Sequence, residues 1–89
     1  MARRDTIRFP SGHTYVPSPQ TSRGFPGAFR VTPKGERRRW IDAHGFLYEW
    51  DYQHGAVEIY NARGCHIGEF DHATGARLKP ADPKRRIEP

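Results

Sequence analysis

The sequence predicts a mainly β fold of the α+β class: an antiparallel meander of hairpins behind an irregular N-terminal arm, with room for one short helix. Three observations predict it. The 89 residues are only 35% hydrophobic and carry nine glycines and eight prolines, a composition poorly suited to a helical bundle. From Arg38 onward, turn residues recur about every ten positions. Between those turns, apolar and polar residues alternate with the two-residue period of a half-buried strand. A chain of this length fits one domain with a small core.

In residues 1–37, Pro10, Pro17, Pro19, Pro26 and Pro33 are interspersed with Gly12, Gly24, Gly27 and Gly35. Proline fixes φ and lacks an amide donor, so this arm is expected to be extended or looped. Phe9, Tyr15, Val16, Phe25, Phe29 and Val31 are its expected anchors on the body. Residues 38–89 form that body. "RRWI" reads as a strand and 42–45 as the turn after it. In "FLYEWD", Phe46, Tyr48 and Trp50 share one face, and Leu47, Glu49 and Asp51 the other. The segment 52–55 makes the next turn. In "AVEIY", Val57 and Ile59 share a face opposite Ala56, Glu58 and Tyr60. "CHIGEF" follows, then a turn over 71–75, then the short "ARL". The tail "KPADPKRRIEP", with three prolines, is excluded from any central strand.

Charge is unevenly distributed. Residues 1–40 hold nine Lys/Arg against two Asp/Glu, residues 41–71 one against six, and residues 72–89 five against two. Basic flanks around an acidic middle, with a pI near 9.9, point to a polyanion-binding surface, which also attracts an acidic protein partner. Cys65 is the only cysteine, so no intrachain disulfide forms. No apolar run approaches the roughly 20 residues needed to span a bilayer, and "MARRDTIRFP" does not read as a signal peptide.

The acids concentrate in "YEWDYQHGAVEIY", where Asp51, His54 and Glu58 crowd one turn. A metal-free cut of RNA needs a base for the 2′-hydroxyl, an acid for the departing 5′-oxygen and a cation for the transition state. Histidine titrates near working pH, a carboxylate complements it, and arginine offers a planar fork to phosphate oxygens. The same residues are also ordinary hairpin formers, which leaves a solvated turn as the plain alternative. Zinc spacings such as C-x-x-C or H-x-x-x-H are lacking, so neither metal nor cofactor is expected. No G-x-S-x-G elbow surrounds Ser11, Ser18 or Ser22, and Cys65 reads as a small strand residue. Register decides whether His66 joins the cluster. A three-residue loop of Ala62, Arg63 and Gly64 pairs Tyr60 with His66 and Glu58 with Gly68, placing His66 on the face of Glu58. Arg37, Arg38, Arg39, Lys79, Lys84 and Arg86 are the candidate RNA-contacting cations, and Tyr52 the candidate base-stacking ring.

The basic run before Trp40, "YEWD-x-QHG", "E-x-Y", "H-x-G-x-F-D", "TG-x-x-L-K" and "DPKR" occur in one order. In that order they resemble the C-terminal ribonuclease domain of the ribosome-inactivating E-type colicins and cloacin. "SGHTYVPSPQT" extends the resemblance toward the N-terminus. It implies a strongly twisted antiparallel sheet with a short N-terminal helix. It also implies a metal-independent endonuclease that cuts small-subunit ribosomal RNA at the decoding centre. Matched by position, Asp51, His54, Glu58, His66 and Arg85 are the implied catalytic residues. Glu58 is read as base, His54 as acid and Asp51 as its orienting partner, with the first two exchangeable. The implied partners are the ribosome and an acidic immunity or antitoxin protein. The implied site of action is the bacterial cytoplasm, with export inside a larger toxin as the route it allows. Two departures stand out: Ala56 replaces an acid usual in the family, and "PKGERRRW" is shortened.

Overall fold

The computed structural model describes residues 7–8, 14–20 and 23–89. A two-stranded ladder joins β1 (Ile7–Arg8) to β2 (Thr14–Tyr15). The body is one six-stranded antiparallel sheet of β3 (Phe29–Val31), β4 (Arg39–Ile41), β5 (Leu47–Asp51), β6 (Ala56–Tyr60), β7 (His66–Phe70) and β8 (Arg77–Lys79). The strands lie in sequence order, which is the expected meander. Strand β3 was not expected. It pairs with β4 at the sheet edge, between Pro26 and Pro33, and three residues are too few to display a period. Phe29 accordingly stays exposed rather than anchoring the arm. No helix occurs among the described residues, which agrees with the density of proline and glycine in the arm. Phe9, another expected anchor, lies outside them.

Four hairpin turns share one chemistry. Each opens on Asp or Asn and closes on a glycine with positive φ: Asp42 with Gly45 (84°), Asp51 with Gly55 (65°), Asn61 with Gly64 (85°) and Asp71 with Gly75 (79°). In every case the opening side chain accepts backbone N–H groups inside the turn. Asp51 thus has a structural duty before any chemical one: its Oδ1 accepts from Gln53 and His54 N–H at 3.0 and 3.2 Å.

One face of the sheet carries the core. Trp40, Tyr48, Trp50, Val57 and Ile59 are buried there with Val16, and Phe25, Ile67 and Phe70 pack against them. Each such side chain contributes about 1.5–3 kcal/mol of burial, enough to hold the arm across the sheet. Two hydrogen bonds of 2.8 Å stitch the arm to the end of β5, from Val16 N–H to the Tyr52 carbonyl and from the Trp50 indole to the Val16 carbonyl.

The C-terminal tail straps the opposite edge. Ile87 N–H donates to the Gly64 carbonyl at 2.9 Å, His66 N–H to the Arg85 carbonyl at 3.2 Å, and Cys65 bridges to Arg86. A Cβ at Gly64 would collide with the Ile87 carbonyl, and the residue's φ is already left-handed. Gly64→Ala is therefore expected to release the strap and cost roughly 1–3 kcal/mol. Hydrogen exchange checks this: the Ile87 amide should lose protection while the core amides of β5 and β6 keep theirs.

The register of β6 against β7 holds the main departure. Tyr60 pairs with His66 as the three-residue loop predicts, but Ile59 then pairs with Gly68 and Glu58 with Glu69. Ile67 is the extra residue of a β-bulge. Gly68, at φ 151°, permits it, because a Cβ there would press on the Lys79 carbonyl at 2.9 Å. Glu58 was expected opposite Gly68. Strict alternation would put His66 and Glu69 on opposite faces, and the bulge brings both onto the face of Glu58.

Candidate active site

The face opposite the core carries a row of charge. Reading across five strands, Arg39 pairs with Glu49, Glu49 with Glu58, Glu58 with Glu69 and Glu69 with Lys79. The three glutamates are buried, and like charges on neighbouring strands repel. Cations offset part of that cost. Arg39 gives two hydrogen bonds to Glu49 Oε2, at 3.2 and 2.8 Å. Lys79 Nζ lies 3.9 Å from Glu69 Oε2, and Arg85 Nη1 lies 3.2 Å from Glu58 Oε1. Arg37 stands 4.0 Å from Asp51. Each carboxylate around the turn thus has one cation, and Arg37, Lys79 and Arg85 are all partly open to solvent.

Glu58 is the centre of the row, at 1% exposure. Burial pushes its carboxyl up to about 7, the neighbouring Glu69 and Asp51 push the same way, and Arg85 opposes them. Burial also raises Asp51, but hydrogen bonds from His54 N–H and Glu58, with the Arg37 and His54 charges, leave it net below its usual value. Two acids on one site are thereby driven apart, one toward a proton holder and one toward a fixed anion.

His54 sits in the turn with 45% of its side chain exposed. Its Nδ1 faces Asp51 Oδ2 at 2.9 Å and Glu69 Oε1 at 3.0 Å, which turns Nε2 to the open side. His66 is different. Asp82 N–H donates to its Nδ1 at 2.9 Å, so Nε2 carries the proton and donates it to Glu58 Oε1 at 2.7 Å. Burial, then the Arg85 charge, depresses its affinity for a second proton. His66 is consequently a neutral donor that fixes Glu58. Arg85 completes the centre: its other fork nitrogen donates to the Tyr60 hydroxyl at 3.0 Å.

The structure brings Asp51, His54, Glu58, His66 and Arg85 together. It separates the expected RNA-contacting residues. Arg37 and Lys79 rim the site, and Lys84 and Arg86 are exposed on the tail strap. Arg38 is half-buried, with its carbonyl accepting Trp50 N–H. Arg39 is buried at 3% exposure beneath its pair with Glu49, so its guanidinium is not offered to a ligand. Tyr52 stacks on Tyr15, with ring centroids 4.9 Å apart, and both line a groove that reaches Asp51.

Glu69, Glu49 and Tyr60 are site neighbours that sequence reasoning missed. A glycine inside the strand pattern "CHIGEF" was the available signal, since such a residue often marks a bulge. Asp51, His54, Glu58 and Glu69 also place one donor atom each within 4.8 Å of one another. No metal-spacing motif flags that set, because its fourth member arrives by strand pairing. Within the set, His54 Nδ1 already lies at hydrogen-bond distance from Asp51 and Glu69, an arrangement suited to moving protons.

With this geometry in view, comparison with known proteins is specific. The family described as Cytotoxic matches residues 16–88. Colicin E3 of Escherichia coli is 42% identical over 88 residues, and cloacin and colicin-E6 of the same species are each 41% identical over that length. These alignments cover 86% of this chain but 16% of each relative, so the chain spans a small part of the proteins it matches.

Proposed function

Because this chain belongs to the Cytotoxic family, we propose that it is an endoribonuclease toxin that cuts 16S ribosomal RNA at the decoding centre and blocks translation. The reaction is transesterification. The 2′-oxygen attacks phosphorus, the bond to the 5′-oxygen breaks, and the products carry a 2′,3′-cyclic phosphate and a 5′-hydroxyl. Glu58 takes the 2′-hydroxyl proton, and His54 Nε2 supplies one to the departing oxygen. Asp51 orients His54, His66 holds Glu58, and Arg85 turns its fork to the phosphate. One observation carries this reading: a half-exposed imidazole and a buried carboxyl poised near 7 share one face. General acid–base pairs work best when their pKa values lie near working pH. The rim of Arg37, Lys79 and Arg85 gives an incoming phosphate its first contacts, and in turning to it these cations uncover the carboxylates they shield.

The ribosome is the proposed target. An acidic immunity or antitoxin protein is the proposed restraint, drawn by the same exposed cations. Action in the bacterial cytoplasm after delivery within a larger toxin fits the small share of each relative that the chain covers. The chemistry runs through protons alone, with no cofactor. The test is incubation with purified ribosomes in EDTA, followed by mapping of RNA ends. A discrete 3′ fragment of small-subunit RNA, lost in His54→Ala, is the expected result. Salt-sensitive binding without scission would replace this reading with that of a binding module. Cuts elsewhere would keep the mechanism and change the target.

A further inference from the structure

We propose that Glu69 is a positioning residue of this site: with Asp51 it clamps the Nδ1–H of His54 and so holds Nε2 toward the incoming RNA. Its catalytic consequence rests on the ribonuclease reading above, whereas the clamp itself is a matter of geometry. The two carboxylate oxygens stand 2.9 and 3.0 Å from one ring nitrogen. Acceptors on both sides oblige Nδ1 to carry the proton, which leaves Nε2 as the nitrogen that exchanges one with substrate.

Asp51 by itself is a weak guide for that ring. It belongs to the same turn, three residues before His54, and its Oδ1 is committed to the turn's own N–H groups. A contact inside the turn fixes the imidazole relative to the turn only. Glu69 comes from β7, fifteen residues away and 5% exposed, and is the cross-strand neighbour of Glu58. It therefore fixes the imidazole relative to the sheet that carries Glu58. A purely structural role explains the residue poorly. Setting Glu69 beside Glu58 requires a bulge and places two buried carboxylates side by side, and its cation, Lys79, is mostly exposed at 3.9 Å. An apolar residue would serve stability better.

The test uses Glu69→Gln and Glu69→Ala in protein with 15N-labelled histidine. Long-range 1H–15N spectra report the His54 tautomer. The wild type should show Nδ1–H with sharp ring signals, and Glu69→Gln should keep both because the amide oxygen still accepts. Glu69→Ala should keep the tautomer, which Asp51 still favours, but broaden or shift the ring signals as the imidazole loses its tie to the sheet. In ribosome cleavage, Glu69→Ala should lower kcat roughly 10- to 100-fold with KM nearly unchanged, and Glu69→Gln should recover most of the loss. The clamp is overturned by His54 ring signals unchanged in Glu69→Ala, or by a loss confined to KM. Should the wild type cut no ribosomal RNA, the ribonuclease reading fails while the spectra still decide the clamp.

Discussion

Glu58→Gln is expected to abolish cleavage and, above pH 7, to make the protein more stable. Loss of the proposed base should lower the rate by about 10²–10⁴-fold. The gain in stability follows from linkage. The carboxyl titrates near 4.5 when unfolded and near 7 when folded, because burial and the adjacent Glu69 and Asp51 disfavour its ionised form. Between those values the folded protein binds more protons than the unfolded chain, so this group's contribution to stability falls as pH rises through the window. Below about pH 4.5 the cost is absent, and above about 7 it is complete. Glutamine removes the ionisation and still accepts from His66 and Arg85, so the variant should gain on the order of 1–3 kcal/mol at pH 8. Urea unfolding at pH 4 and pH 8 measures it. A variant less stable than wild type at pH 8 would contradict this account of Glu58. Such a trade between stability and activity is common where a site holds a strained group.

Arg85→Ala should produce the second large effect, a loss of about 10²–10³-fold in cleavage, with lysine restoring only part. Arginine's fork reaches two partners at once, Glu58 through one nitrogen and the Tyr60 hydroxyl through the other. Lysine's compact ammonium lacks the two separated nitrogens of that planar fork. The pH profile gives a sharper reading. Glu58 is faced by Asp51 and Glu49 from β5, by Glu69 and His66 from β7, and by Arg85 from the tail, with Arg37, Arg39 and Lys79 on the neighbouring carboxylates. Arg85 is the cation in direct contact and the influence holding Glu58 down. Its removal should raise Glu58 further and move the rising limb of the rate profile to higher pH. A limb that stays in place, or moves down, would show that a group other than Glu58 sets it.

Much of this molecule is legible in order along the chain. Alternation in "FLYEWD" and "AVEIY" gives β5 and β6 with their two faces, and an Asp or Asn opening with a closing glycine gives each turn. Asp51, His54 and Glu58 lie within eight residues, so a single hairpin suffices to bring them together. The ordered motifs resemble one family strongly enough to add His66 and Arg85 by position. Local pattern sufficed here because strands and turns are set by neighbours a few residues apart.

The tertiary structure decided the rest. Arg39 lies among the basic residues of the linear sequence, yet strand pairing seats it on Glu49 and buries it. Glu69 lies on the wrong side of a strictly alternating strand, and one extra residue at Ile67 carries it to the imidazole of His54. A charge row from Arg39 to Lys79 exists only once five strands are in register. The physical reason is the same in each case. A side chain's face depends on the count of residues to a pairing partner, and a bulge changes that count by one without changing the pattern of hydrophobicity that sequence displays. Composition and spacing therefore determine which groups are available for proton transfer, and the register of β6 on β7 decides which of them meet.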